Sequence, residues 1–270
     1  MSAAPLEGFR FSLAGPGRVG SSLAAWLTAL GAERVALAGR RKGDGRIPLY
    51  GLESAGQDLL LVAVSDASLD EVAAELARRP QARVVLHTSG SRDASALAPL
   101  REGGSAVGSL HPLKAFPEPL PDPTEARGVF FAVDGDAPAR ELAVRLAESW
   151  GGVAAEVPPE SRALYHFAAT LAAGGVTTLL AAASEIAGRL GLPAEVTRGY
   201  LELCRGALNA AARTLDAGHP LAEAITGPAA RGDEETLKRH FEALRSLDPE
   251  RLPLAEVLAE ETRRVTGRPR

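Results

Sequence analysis

Short apolar, β-like runs alternate with segments of helical spacing through the first 158 residues of the chain. We predict strands over residues 9–14, 34–38, 58–64, 83–87, 106–109, 128–133 and 152–156. We predict helices between them over residues 18–30, 69–78, 94–100 and 138–150. Alternation of this kind is typical of an α/β fold, in which helices cover both faces of a doubly wound, mainly parallel sheet.

The pattern changes after Pro158 and Pro159, where β-like runs disappear and helical spacing continues to the C-terminus. Helices are predicted over residues 160–190, 193–217, 220–225, 233–247 and 254–266. We therefore predict an α/β domain over residues 1–158 and an all-helical domain over residues 159–270. The proline-rich segment 116–123 is predicted to be an exposed loop near the sheet edge, because prolines lack an N–H donor and restrict their predecessors.

Composition narrows the classes of function. The single cysteine, Cys204, excludes an intramolecular disulfide, and the absence of paired Cys and His spacing argues against a metal site. The chain has a net charge of −4 and so lacks the excess of basic residues that is typical of nucleic-acid-binding proteins. We therefore expect a small-molecule partner. The first residues do not resemble a signal peptide, which favours a cytoplasmic location. The uncharged segment 163–184 is rich in Ala, Gly and Thr, and we interpret it as a closely packed helix rather than a membrane span.

A G-x-G-x-x-G motif, Gly15 to Gly20, lies between the first predicted strand and the first predicted helix. In that position the glycines allow a tight turn and a close approach of a pyrophosphate, towards which backbone N–H groups point. The motif therefore predicts a dinucleotide site, and the alternative is a glycine-rich turn without a ligand. The predicted contacts are Gly15, Gly17, Arg18, Val19 and Gly20.

The end of the second predicted strand indicates which dinucleotide is bound. An NAD site usually carries Asp or Glu there to hold the ribose 2′-OH, but this chain has Arg40 and Arg41. Two arginines suit a 2′-phosphate by charge and by bidentate geometry, so NADP is favoured over NAD. A solvated basic loop is the alternative.

Polar residues follow the next three strands, whose carboxyl ends face one crevice in a doubly wound sheet. Val64, Ser65 and Asp66 are predicted to border the nicotinamide half of the cofactor. His111 and Ser89 are candidates for proton donation or substrate hydrogen bonding, and Lys114 is a candidate for binding an anionic group. Because a His before Pro is often a packed turn residue, His111 keeps that structural alternative.

The long helix after the boundary carries a polar stripe. His166, Thr170, Thr177 and Ser184 are spaced by four, seven and seven residues and so share one face. Such a stripe suits a cleft, and His166 becomes a second candidate for proton transfer. The alternative is that the histidine is satisfied in a core and that the hydroxyls bond back to their own helix.

The whole chain resembles bacterial proteins that join a Rossmann-like domain to a helical domain of unknown function numbered 2520. The resemblance rests on the motifs Gly15–Gly20, His87–Gly90, Ser109–Leu113, Tyr165–His166 and Thr226–Asp233. It implies a dimeric NAD(P)-dependent oxidoreductase with no settled substrate. Separately, the stretch of small residues from Ala168 to Ala183 suits close helix contact and predicts a homodimer through the helical domain. The chain departs from these relatives at Ala173-Gly174, where they tend to have Ser-Asn, and at Lys114, where they usually have Gln.

The wider architecture also resembles that of pyrroline-5-carboxylate reductases, ketopantoate reductases and prephenate dehydrogenases. Together these features predict an NADP-dependent oxidoreductase that moves a hydride between the nicotinamide and a small polar substrate, such as a keto acid or an imine, in a cleft between the domains. The alternative is a non-catalytic dinucleotide sensor that acts through its helical dimer surface. The loss of a side-chain amide at Gly174 favours that alternative.

Overall fold

A seven-stranded sheet is the centre of the computed structural model, which describes residues 5–39 and 47–267. The strands are β1 Arg10–Ala14, β2 Glu33–Ala38, β3 Leu59–Val62, β4 Val84–His87, β5 Ala106–Pro112, β6 Phe130–Gly135 and β7 Val153–Glu156. Their order is β2-β1-β3-β4-β5-β6-β7, and the β5–β6 pair is antiparallel while the other pairs are parallel. The sheet confirms the predicted fold class.

Ten α-helices accompany the sheet in these described ranges. They are α1 Arg18–Ala29, α2 Asp66–Leu76, α3 Ala98–Glu102, α4 Ala137–Ser149, α5 Arg162–Thr170, α6 Val176–Arg189, α7 Val196–Asp216, α8 Pro228–Arg231, α9 Glu234–Leu247 and α10 Leu252–Val265. The segment predicted as one helix over 160–190 contains a π-helical turn, Leu171–Gly175. The segment predicted as a helix over 94–100 begins as a 3-10 turn, Ala94–Leu97, and Pro99, which lacks an N–H donor, lies in the first turn of α3.

The apolar side chains of the sheet form two cores, one on each face. In β3, Leu59 and Leu61 pack with α1 and α4, whereas Leu60 and Val62 pack with α2 and the segment around Leu97. The two-residue period of a strand explains this division, since successive side chains point to opposite faces. Helices and apolar side chains cover both faces of the sheet, so its carboxyl edge is the place where polar groups can lie.

The proline-rich loop is attached to α1. Trp26 Nε1 donates a hydrogen bond to the Leu120 carbonyl at 2.8 Å, and the Leu120 N–H donates to Ser22 Oγ at 2.8 Å. The Phe116 and Trp26 ring centroids are 6.0 Å apart. The segment is therefore a loop, as predicted, but two of its apolar side chains are half-buried against the first core.

The chain divides into two compact units, and the first ends at Ala173. Strands give way to helices at the predicted position, residue 158, but the first unit continues through α5 because Arg162 of that helix is buried against the sheet. The second unit begins at Gly174 and contains a small core of Ala229, Leu237 and Ala259. In it the buried Asp248 pairs with Arg189 at 3.2 Å and with Arg251 at 2.9 Å.

Candidate active site

The three glycines of the first turn have different tasks. A Cβ on Gly15, whose φ is 93°, would lie 2.4 Å from the Ala63 carbonyl oxygen, and one on Gly20 would lie 2.3 Å from the Gly15 carbonyl oxygen. These two glycines are required by the packing of the turn itself. A Cβ on Gly17 would meet no atom within 4 Å. Gly17 therefore leaves open space beside the N-terminus of α1, where unpaired N–H groups suit an anion.

Two pockets meet at this turn. The first, which we call the Gly39 pocket, has a volume of about 620 Å³ and is lined by the glycine turn, by Gly39 at the end of β2 and by one face of α2. The second, the His111 pocket, has a volume of about 490 Å³. Gly17, Val64 and Ser65 line both pockets. A ligand that crosses the glycine turn would thus reach a pocket on either side, as an elongated dinucleotide requires.

The Gly39 pocket lies at the end of β2, where the sequence predicts contact with the 2′-phosphate of the cofactor. Arg40 and Arg41, on which the prediction of NADP depends, lie outside the described residues. Sequence reasoning missed the α2 side of this pocket, which includes Glu75 and Arg78. The Arg78 guanidinium pairs with the Glu75 carboxylate at 2.9 Å.

The His111 pocket brings together most of the other predicted site residues. Its lining includes Gly17, Arg18, Val19, Val64, Ser65, Asp66, Ser89, Gly90, His111, Lys114 and His166. All of these residues belong to the first unit. The structure therefore gathers residues from the ends of β1, β3, β4 and β5 and from α5 around one cavity.

His87 supports the loop that follows β4. It is fully buried, its Nδ1 accepts a hydrogen bond from the Ser89 N–H at 3.2 Å, and its Nε2 lies 3.0 Å from the Asp93 carbonyl oxygen. The proton is therefore assigned to Nε2. Burial lowers the pKa of His87 to about 4, so the ring is neutral at pH 7. The predicted candidate Ser89 is bound into the same loop, since its Oγ accepts from the Arg92 N–H at 3.1 Å.

Asp66 supplies negative charge at the pocket. It is the first residue of α2, and its Oδ2 accepts a hydrogen bond from Ser91 Oγ at 2.5 Å. Burial raises the pKa of Asp66, but hydrogen bonds from Ser91 and Ser89 outweigh burial and hold the pKa below its ordinary value. The group is a carboxylate at neutral pH.

The sequence predicts that His111 lies beyond the end of the fifth strand, but it lies inside β5. The antiparallel partner β6 extends the pairing and places His111 opposite Ala132. His111 Nδ1 is 2.9 Å from Tyr165 Oη. Burial, with smaller contributions from the charges of His166 and Arg162, lowers the pKa of His111 to about 4. Burial also raises the pKa of Tyr165, so both partners are uncharged at pH 7.

Gly90 lies beside two histidines. A Cβ on Gly90 would lie 2.7 Å from His111 Nε2 and 2.7 Å from His166 Cδ2. The two imidazole rings are 6.1 Å apart between centroids, with their planes at 76°. Both rings therefore pack against the same backbone segment, and Nε2 of His111 faces it. The sequence singled out each histidine but not the glycine that brings them together.

Lys114 and the hydroxyl groups of the helical stripe already make contacts within the protein. Lys114 Nζ pairs with Glu125 Oε2 at 3.0 Å while it also lines the His111 pocket. The hydroxyls of Thr170, Thr177 and Ser184 each donate to a carbonyl of their own helical run, at 3.0 Å in each case. These contacts agree with the structural alternative for the stripe. The described residues contain no group of three or more His, Cys, Asp or Glu side chains placed to hold a metal ion.

Comparison with protein families matches both parts of the chain. A Rossmann-like domain model matches residues 9–112, and a model described as a domain of unknown function, DUF2520, matches residues 129–262. The chain joins a Rossmann-like domain to a DUF2520 domain. The resemblance noted in the sequence is thereby confirmed. Comparison with curated proteins finds no match.

Solved structures share the fold of this Rossmann-like DUF2520 protein across nearly its whole length. A Bacteroides fragilis protein, provisionally described as an NADP oxidoreductase, is 19% identical, with 94% of this chain and 97% of that chain covered and a TM-score of 0.72. Plasmodium falciparum pyrroline carboxylate reductase with NADP bound is 13% identical, with 97% and 99% covered and a TM-score of 0.59. Prephenate dehydrogenase from A. aeolicus, in complex with hydroxyphenyl propionate and NAD+, is 16% identical, with 95% and 98% covered and a TM-score of 0.54. At these identities the likeness shows a common fold.

Proposed function

We propose that this protein is an NADP-dependent oxidoreductase that transfers a hydride between the nicotinamide and a small polar substrate, a keto acid or an imine. The observation that carries the proposal is the pair of pockets joined at Gly17, because open space beside a helix N-terminus suits a pyrophosphate and the second pocket holds titratable groups. The fold shared with an NADP-bound reductase supports the same conclusion.

The residues present fit a nicotinamide dinucleotide. The turn at Gly15, Gly17 and Gly20 would hold the pyrophosphate through backbone N–H groups, with Arg18 and Val19 at the start of α1. Val64 and Ser65 would flank the cofactor where the two pockets meet, and Asp66 would flank it in the His111 pocket. When bound, the cofactor supplies or accepts the hydride. The protein contributes binding, orientation and the movement of a proton.

His111 is the residue best placed to hold a proton in the second pocket. If Tyr165 Oη donates to Nδ1, the histidine carries its own proton on Nε2, the atom that faces Gly90. Since its pKa is about 4, His111 acts at pH 7 as a neutral hydrogen-bond donor and not as an imidazolium. His166, which packs on the same side of Gly90 as His111, is the second candidate for proton transfer. Lys114 would bind a substrate carboxylate only in competition with Glu125.

The function is tested by substrate-dependent oxidation of NADPH across a panel of 2-keto acids and cyclic imines. We expect turnover with at least one member and a large loss in His111→Ala. Replacement of Arg40 and Arg41 together by serine should weaken binding of NADPH much more than binding of NADH, because only NADPH carries the 2′-phosphate. A wild-type protein with no detectable affinity for either dinucleotide would contradict the proposal.

A non-catalytic dinucleotide sensor is the second candidate. Two observations favour it: Ala173 and Gly174 offer no polar side chain, and the charge of Lys114 is already paired with Glu125. Micromolar binding of NADPH without turnover on the whole panel would select this function.

We also propose that the protein is a homodimer through its helical unit. None of the 21 residues of α7, all within the described ranges, is buried, and Leu203, Leu208 and Leu215 are more than half exposed. The helical run Pro159–Arg189 has an 18-residue window of mean hydropathy 1.5 with no buried residue in it. By length and composition this run could cross a membrane, which for a single helix is weak evidence.

A second copy of the chain is the occupant that we propose for these faces, since covering them would suit a soluble, cytoplasmic protein. Light scattering should give twice the mass of the chain, and Leu203→Glu should shift the protein towards the monomer. A wild-type monomer at high concentration would contradict this proposal.

A further inference from the structure

Arg162 is a buried charge that lies across two strands. Its side chain is 1% exposed, and Nη2 donates a hydrogen bond to Ser109 Oγ of β5 and lies 3.4 Å from Asp134 Oδ2 of β6. Ser109 and Asp134 are opposite each other in the antiparallel β5–β6 pair, and both are buried. The guanidinium therefore joins α5 to a defined position on the sheet.

This arrangement is a poor way to stabilise the protein. Removal of two charges from water is costly, and buried ion pairs can often be replaced by apolar residues of similar volume without loss of stability. Among the described residues, Arg162 Nε and Nη1 and Asp134 Oδ1 have no hydrogen-bond partner, so the pair does not recover its full desolvation cost. A purpose other than stability would account for its presence.

A second contact joins the same two elements. Tyr165, three residues after Arg162 on α5, meets His111, two residues after Ser109 on β5. Arg162 and Tyr165 are three residues apart on a helix, so their side chains lie on one face. Ser109 and His111 are two residues apart on a strand, so their side chains also share a face. His166, the next residue of α5, packs with His111 against Gly90. The position of α5 on β5 thus decides where Tyr165 and both histidines lie.

We infer that Arg162 is a positioning residue of the His111 pocket: by binding Ser109 and Asp134 it fixes α5 on β5 and so holds Tyr165 on His111 and His166 against Gly90. Arg162 does not line the pocket itself. Both acceptors are reached by one nitrogen, Nη2, whose N–H directions are fixed by the plane of the guanidinium, whereas a lysine ammonium turns freely on a flexible stem. The consequence for turnover rests on the proposed oxidoreductase function, but the geometric claim does not.

Two variants test this inference. Arg162→Lys keeps the charge and loses the planar donor geometry. Arg162→Met combined with Asp134→Leu removes both charges and leaves no unpaired ion, so the sheet should stay folded. Arg140→Lys is the matched control, because Arg140 of α4 pairs with Glu156 of β7 at 3.6 Å in a more exposed position.

The main readout is the titration of the His111 ring, followed by NMR and assigned by its absence in His111→Asn. The charged and titratable groups that act on this ring are His166, Arg162, Asp66 and His87, so the other histidines are followed in the same spectra. We expect the wild-type pKa near 4 to move towards 6.5 by about one unit or more in both test variants, because the ring loses burial. In the double variant, loss of the Arg162 charge also raises this pKa, so Arg162→Lys, which keeps the charge, is the decisive variant. The Arg140→Lys control should titrate like the wild type.

Kinetics provide the second readout. We expect kcat to fall by about tenfold or more in both variants while the Kd for NADPH changes little, because only the groups around His111 are displaced. Wild-type titration of His111 in either folded variant would overturn the inference, and so would loss of the fold in both, which would show a purely structural role. If the wild type does not bind NADPH, the proposed function fails, whereas the NMR titration still decides the positioning role.

Discussion

Replacement of Gly90 by alanine should disable the His111 pocket while the protein stays folded and still binds NADPH. The added Cβ would lie 2.7 Å from His111 Nε2, 2.8 Å from His111 Cε1 and 2.7 Å from His166 Cδ2. Ordinary contacts between such atoms are about 3.5–4.0 Å, so one or both rings must move by about 1 Å. His111 cannot yield freely, because Nδ1 is held by Tyr165 at 2.9 Å.

The magnitude follows from two separate effects. Overpacking of this kind costs about 1–3 kcal/mol of folding stability, which a protein of this size should tolerate. Misplacement of a reacting group by about 1 Å can reduce turnover by about 100-fold. We therefore expect a modest loss of stability, a large loss of kcat and an almost unchanged affinity for NADPH, since Gly17 is untouched.

The assay combines urea denaturation, NADPH titration and steady-state turnover on the substrate found in the panel. Gly188→Ala in α6 is the matched control, because a Cβ there meets no atom within 4 Å. It should leave all three measurements near their wild-type values. Wild-type kcat in a folded Gly90→Ala variant would refute the placement of the two histidines against Gly90.

Two further predictions concern the buried histidines. Tyr165→Phe removes the side-chain hydrogen bond at His111 Nδ1, so kcat should fall and its pH profile should shift. The Kd for NADPH and the thermal midpoint should stay close to those of the wild type, and an unchanged pH profile would exclude this role. His87 has a folded pKa of about 4 against an ordinary value of 6.5, so the unfolded chain takes up a proton first as the pH falls. Stability from this residue is therefore complete above pH 6.5 and is lost between pH 6.5 and 4, by about 3 kcal/mol at 1.36 kcal/mol per pKa unit. Urea denaturation at pH 7 and 4.5 should show this loss, and a folded His87→Gln variant should show less of it; equal losses would contradict the assignment.

The strands of the sheet could be predicted from the sequence because each strand gives a local signal. Each strand is a short apolar run, and β3 and β4 are buried along their whole length, which is what such runs predict. The glycine turn is also readable, since its spacing and its place between strand and helix are both sequence properties. The different roles of Gly15 and Gly17 cannot be read from the sequence, because they depend on the position of Ala63, which belongs to a distant segment.

The rest of the site depends on contacts between elements far apart in the chain. His111 and Tyr165 are 54 residues apart, and Arg162 and Ser109 are 53 apart. A weak signal for Arg162 exists, since it precedes Tyr165 and His166 by three and four residues on one helix face. Nothing local shows that this arginine is buried, and nothing local shows that Ser89 is bound into its own loop.

Titration of NADPH into the wild type and into Gly17→Ala is the sharpest test of dinucleotide binding at the glycine turn. A Cβ on Gly17 has no neighbour within 4 Å in the protein, and its φ of −79° is open to alanine, so the variant should fold with wild-type stability. If the pyrophosphate lies at this turn, the wild type binds NADPH with micromolar affinity and Gly17→Ala loses most of that affinity. Equal affinity in the two proteins, or no binding by the wild type, would show that the turn at Gly17 does not bind the pyrophosphate of NADPH.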